Sequence, residues 1–161
     1  MPVHLVIASE RRTLDTWRRC VGVQAGVEFW LGRPRDAVAD AVAVAGAFAY
    51  ERYGGRPLAG EARVLRNGRG DGFPGLVVVP ASRPMRLGTD GRPVVRAEFA
   101  DVSPAYFGLS RALAALREWN DVGNEPHVDV LLLPLALLGM DDAEDTATPA
   151  SVGRALREAA G

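Results

Sequence analysis

Several short stretches of this 161-residue chain have residue types that can do chemistry. Residues 68–75, GRGDGFPG, have the glycine density of a phosphate-binding loop. A nucleotide fingerprint, however, opens a helix directly after a strand, so that backbone N–H groups meet the phosphate. This stretch joins two predicted strands and opens no helix, so a plain hairpin loop is expected. Residues 141–145, DDAED, place four carboxylates in five positions. Oxygen-rich clusters hold Mg²⁺ or Ca²⁺, but EF-hand spacing is absent here. The run reads as a solvated acidic loop beside a helix N-terminus, and no metal site is expected. His4 and His127 lack a Cys or second His at ligand spacing and are expected to be structural or surface residues. Ser82 and Ser110 lack the G-x-S-x-G elbow of a serine nucleophile. Cys20 is the single cysteine, and nothing near it in sequence would activate a thiolate. The last cluster is aromatic and cationic: Phe48, Tyr50 and Tyr53 with Arg52 and Arg56. Such aromatics either stack on a base or fill space by burial. The two Arg either pair with a phosphate or carboxylate or lie on the surface.

These residues need elements to position them. Residues 3–9 (VHLVIAS) are mostly apolar and β-branched, which predicts a strand. Leu14, Trp17 and Val21 then recur at helical spacing, with Gly22 able to end the helix. Residues 27–32 predict a second strand. Residues 37–46 form a continuous apolar run, as a strand covered on both faces should. Residues 61–66 and 75–81 predict two more strands joined by the glycine-rich loop. A loose stretch follows. Ser103 as cap, Pro104 at the first turn and Leu109, Leu113, Leu116 and Trp119 on one face predict a helix. Residues 128–139 are the most apolar segment and predict a central strand. Thr148 and Pro149 predict the start of a last helix. Strands interleaved with helices predict one α/β domain over 1–161 with a mixed sheet. Ligands in such sheets lie beyond the carboxyl ends of central strands, here 44–55, 80–86 and 134–140.

Those strand ends carry a family resemblance along nearly the whole chain. Residues 35–55 (RDAVADAVAVAGAFAYERYGG) resemble the strand of a macro domain of the Appr-1-p processing kind, written roughly D-A-I-V-S-P-A-N-S-F-G. Residues 54–66 resemble its segment G-x-L-P-x-G-x-A. Residues 73–88 (FPGLVVVPASRPMRLG) are similar to its P-Y-L-I-x-A-P-T-M-R. Residues 103–119 sit where the family has an alanine-rich helix, 128–140 where it has a strand ending P-x-L-G-T-G, and 148–160 fit its last helix. The resemblance implies a three-layer α/β/α fold with a mixed central sheet. It also implies a cleft for ADP-ribose or a related nucleotide-like anion, lined by Gly46, Ala47, Phe48, Tyr50, Arg52, Gly54, Gly55, Ser82, Ala136, Leu137 and Gly139. The sequence departs from the family at its ligand contacts. Arg33 stands where the family has an adenine-binding Asp, and Gly46 where it has an Asn near the distal ribose. Gly54 and Gly55 remain of a glycine-rich loop, and much of the helix after the third strand is expected to be missing. Leu137 and Leu138 interrupt the second phosphate loop between Ala136 and Gly139, where small residues would let phosphate approach the backbone.

Composition narrows the function further. The chain is 48% hydrophobic and 24% charged, ordinary for a globular domain. No run has membrane-spanning length, and the opening MPVHLVIASERR predicts no secretory leader. One cysteine fits a reducing cytoplasm. The first 80 residues carry 11 Arg against 8 acids, the remainder 8 against 12, so neither half has the basic face that nucleic acid requires. All 19 basic residues are Arg, which reads as the codon bias of a GC-rich genome. Two functions are expected. One is a binding module for ADP-ribose or another nucleotide-like anion, with aromatics and Arg replacing the lost contacts. The other is a non-catalytic protein-interaction or homodimerising domain with a closed pocket. No cofactor is implied, and no visible group would activate water for ADP-ribose hydrolysis.

Overall fold

The computed structural model describes residues 2–55 and 58–161. In chain order, β1 is Val3–Ala8, α1 Arg11–Val21, β2 Val27–Leu31, β3 Ala41–Ala43, α2 Gly46–Tyr53, β4 Arg63–Arg66 and β5 Leu76–Val79. Then come β6 Met85–Leu87, β7 Pro93–Val95, α3 Pro104–Asp121, β8 Val130–Pro134, the single turn α4 Leu135–Leu138 and α5 Ala147–Ala160. Six strands form one mixed sheet in the order β2-β1-β8-β3-β5-β4. Every neighbouring pair is parallel except β4 with β5. The fold is α/β with helical cover on both faces, as expected, and the most apolar segment does supply a central strand.

The direction of each connection sets which face it covers. From β1 to β2 and from β5 to β8 the chain moves toward the β2 edge, through α1 and α3. From β2 to β3 and from β3 to β5 it moves the other way, through a 3₁₀ turn at Pro34–Asp36 and through α2. Right-handed crossovers put these two sets on opposite faces, and the core divides accordingly. Val6, Ala8, Ala43, Val78 and Leu133 pack under Leu14 and Trp17 of α1, Leu113 and Leu116 of α3, and Val152 and Leu156 of α5. Leu5, Ile7, Val42, Val77 and Leu132 face the other way, beneath Ala49 of α2 with Ala37, Phe48 and Tyr53. One layer is therefore three full helices thick, and the other is a two-turn helix and loops.

Local chemistry explains most element ends. Gly22 takes φ 76° after α1, and its N–H closes on the Arg18 carbonyl. The Ser103 hydroxyl accepts from the Tyr106 N–H at 3.4 Å, with Pro104 at the first helical position. Trp17 Nε1 donates to the Met140 carbonyl at 3.2 Å, and the Thr13 and Thr16 hydroxyls donate to the Asp141 and Ala143 carbonyls. The buried face of α1 thereby holds the loop that enters α5.

Three expectations need correction. The apolar run 37–46 is not one strand: only Ala41–Ala43 pair, and Gly46 already opens α2. The lead-in is held instead by the Asp40 carboxylate, which accepts from the Asp129 and Val130 N–H groups at 2.9 Å each. The helix after the third strand is short, as expected, with eight residues. The loose stretch contains the β6–β7 hairpin, whose outward Leu87 is 73% exposed and gave no alternating pattern. Finally, α5 begins at Ala147, before Thr148 and Pro149. The Asp145 carboxylate caps it, accepting from the Ala147 and Thr148 N–H groups at 3.0 Å each.

One close approach tests the layer packing. A Cβ on Gly108 of α3 would lie 2.7 Å from the Ala81 carbonyl oxygen beyond β5. Backbone on both sides leaves no flexible neighbour to yield. Gly108→Ala is expected to destabilise the fold by about 1–3 kcal/mol, the range for overpacking a tight site. Urea unfolding should show a lower midpoint with an unchanged slope.

Candidate functional site

The three central strands β8, β3 and β5 are adjacent and parallel, so their carboxyl ends finish side by side, where a ligand was expected. The backbone closes part of that space. The Ala45 N–H donates to the Leu137 carbonyl at 2.9 Å, tying the start of α2 to the turn after β8. The Val44 N–H donates to the Val78 carbonyl at 3.0 Å. Phe48, Tyr53 and Leu137 pack onto the second face of the sheet. Gly46 begins α2, and a methyl there would meet Val79 at 3.9 Å, an ordinary contact, so no close approach demands glycine.

The other predicted residues are scattered around this filled centre. Ala47, Ala136, Gly139 and Ser82 are exposed, and Tyr50 is 58% exposed. Gly139 takes φ 70° to end α4. The Ser82 carbonyl accepts from the Gly60 N–H at 2.8 Å. Gly54 and Gly55 follow α2 with φ 75° and 87°, and serve as its C-terminal turn. Arg56 lies outside the described residues. The structure thus brings Gly46, Phe48 and Leu137 around the joined ends of β3 and β8.

Arg52 does not point to a free cleft. Its Nε donates to the Asp71 carboxylate at 2.9 Å, and its guanidinium lies 5.6 Å from the Phe48 and Phe73 ring centres. Asp71 also accepts from the Tyr53 hydroxyl at 2.9 Å, Asn67 Nδ2 at 2.9 Å and the Phe73 N–H at 3.1 Å. Its side chain is only 9% exposed. Burial pushes the Asp71 carboxyl up, but hydrogen bonds from Asn67, Arg52, Tyr53 and Phe73 outweigh this and hold it below the ordinary carboxylate range. Burial, then the Asp71 partner, pushes the Tyr53 phenol up to about 12. The glycine-rich loop is the hairpin the sequence predicts, since β4 and β5 are antiparallel. Asp71 within it is the residue the sequence reading missed. Its signal is Asn67 four positions earlier in a G-D-G turn, where short polar side chains satisfy local backbone.

The remaining candidates separate cleanly. The acidic run supplies caps: Asp145 for α5, and Asp142, whose carboxylate accepts from the Glu144 N–H at 2.9 Å. Glu144 pairs with Arg12 across the surface. No group of three or more His, Cys, Asp or Glu is placed to hold a metal ion among the described residues. His127 is a surface residue 3.2 Å from Asp129. His4 is 5% exposed in β1, and burial lowers its pKa to about 4. A cavity of about 710 Å³ adjoins His4 between α3 and α5, on the face away from the predicted cleft. No described helix is long and apolar enough to cross a membrane. No protein-family model matches the sequence, and no curated protein matches it closely enough to count as a relative.

Two titrations follow from these groups. Asp71 is ionised more easily folded than unfolded, so its contribution is complete above the unfolded carboxylate value of about 4 and is lost as pH falls below it. Asp71→Asn should cost about 2–3 kcal/mol at pH 7, since charged hydrogen bonds are lost and donors stay buried. The same variant should flatten the acid limb of stability against pH. His4 protonates near 6.5 unfolded and near 4 folded. The unfolded chain binds the extra proton in that window, so stability should rise with pH from about 4 to about 6.5. His4→Gln should remove that slope, as read from urea midpoints at each pH.

Proposed function

We propose that the chain is a divergent macro-like α/β domain that acts through protein contact, with a second copy of itself as partner. Support comes from the strand ends, where Phe48, Tyr53 and Leu137 fill the space and Arg52 is committed to Asp71. The partner surface in this reading is the β2 edge of the sheet. β2 has a neighbour on one side only, and its outer row of backbone groups is a template for another strand. Trp30 and Leu31 on it are 49% and 44% exposed, and Val38 nearby in sequence is 93% exposed. An antiparallel pair of β2 strands centred on Phe29 is self-complementary, as two-fold symmetry requires. It sets Val27 against the partner's Leu31 and Glu28 against the partner's Trp30, with no like charges opposed.

One observation favours the nucleotide-like alternative. α2 begins without a side-chain cap, so Gly46 and Ala47 leave backbone N–H groups at the end of β3. The two readings are separated by direct measurement. Light scattering behind size exclusion at about 100 µM should give twice the 17.2 kDa of one chain, and Trp30→Glu should give the monomer. Titration with ADP-ribose to about 1 mM should give no heat and no rise in melting temperature. A monomeric wild-type chain that is stabilised by ADP-ribose would reverse the choice.

A further inference from the structure

We propose that the cavity between α3 and α5 is a binding site for a small organic amine with an apolar body. This site is independent of the strand ends and of the sheet edge. Its volume of about 710 Å³ falls in the range of small-molecule pockets. Leu113 and Leu116 of α3 and Ala155 of α5 give it apolar walls.

The polar part of the wall is unusual in one respect. His4 is 95% removed from solvent and lines the cavity, and its ring makes no hydrogen bond to a described residue, while its backbone N–H donates to the Gly26 carbonyl. Among the described residues no buried side-chain nitrogen or oxygen is sealed off without a partner, so the ring nitrogens of His4 keep some access to solvent. Burial keeps the ring neutral at physiological pH, one nitrogen donating and the other accepting. Water in the cavity can meet these nitrogens, and a bound molecule that displaces it would make the same hydrogen bonds.

Charge decides the class of molecule. Glu118 and Asp121 lie in the last turn of α3 and Glu158 in the last turn of α5, and all three line the cavity. Glu118 and Asp121 have no ion-pair partner among the described residues. Glu158 accepts from the Tyr106 hydroxyl and from Arg154 Nε at 3.1 Å. Arg117 also lines the cavity without an ion pair among the described residues and offsets one of these carboxylates, and Arg154 nearby is already engaged with Glu158 and with the Tyr106 ring at 4.3 Å. Helix C-termini carry partial negative charge, so two helix ends and the two unpaired carboxylates favour a cation. An amine head near Glu118 and Asp121, with its body against Leu113 and Leu116, satisfies both halves of the lining.

The full chain can be titrated with 2-phenylethylamine and, as its charge-reversed counterpart, phenylacetate. The readouts are melting temperature and the ring proton resonances of His4 and His127, the two histidines, assigned with His127→Gln. The amine should shift the His4 resonance and raise the melting temperature, and the acid should do neither. Glu118→Gln with Asp121→Asn should weaken the amine about fivefold, given the modest worth of charges at helix ends. Ala114→Trp, on an exposed position of the cavity rim, should abolish binding while leaving the circular dichroism spectrum unchanged. Equal binding of amine and acid, no movement of the His4 resonance by either at about 10 mM, or unchanged amine affinity in the charge variant would overturn the proposal.

Discussion

A sheet of parallel strands must lose both faces to apolar cover, and this chain covers them unequally. Three helices lie over one face, and their interlocked side chains make the larger core. The other face has two turns of α2, a 3₁₀ turn and loops. An eight-residue helix has little stability of its own, because nucleation is costly and few hydrogen bonds follow. The thin layer therefore needs tertiary anchors. Its stability is the condition on which burial of Leu5, Ile7, Val42, Val77 and Leu132 depends.

Asp71 is the main polar anchor. The carboxylate reaches α2 through Arg52 and Tyr53, and its own loop through Asn67 and the Phe73 backbone. A buried charge is tolerable when its lone pairs are taken up and a cation lies close. The guanidinium of Arg52 also covers Phe48 and Phe73, so one residue both neutralises the carboxylate and shields apolar surface. This arrangement draws the last turn of α2 toward the β4–β5 hairpin. Its first turn is held by the Ala45–Leu137 backbone bond. Pinned at both ends, α2 lies over the strand ends, with Phe48 and Tyr53 beneath it.

Much of the fold was legible because burial leaves a period in the sequence. Leu14, Trp17 and Val21 repeat at helical spacing and are all buried in α1. Ser103 and Pro104 mark the start of α3 by local hydrogen bonding and a fixed φ, which need no tertiary information. The run 37–46 misled because a buried strand and a buried helix start look alike when every residue but Asp40 is small and uncharged. The β6–β7 hairpin was illegible for the opposite reason: its side chains are largely outside the core and carry no pattern. The candidate site was legible only as a place. The adjacency of β8, β3 and β5 followed from strand character, but the closure did not. It depends on Asp71 meeting Arg52 and Tyr53 from 19 and 18 positions away. The cavity at His4 left no trace, since its lining comes from β1, α3 and α5 together.

A parallel sheet has two electrically different edges. Helices that follow strands begin at the carboxyl edge with free N–H groups, and helices that precede strands end at the amino edge with free carbonyls. The carboxyl edge suits anions, which is why nucleotide phosphates are sought there. In this chain the start of α2 and the turn of α4 meet at that edge through the Ala45–Leu137 hydrogen bond, with Phe48 packed on the sheet beside them. α3 ends just before β8, at the amino edge, and its last turn carries Glu118 and Asp121 beside a cavity that reaches His4. The same architecture that would favour phosphate at one edge favours a positive group at the other. The two edges share strands, but the residues that line the cavity are none of those around the ends of β3 and β8, so a change at one leaves the other's lining intact.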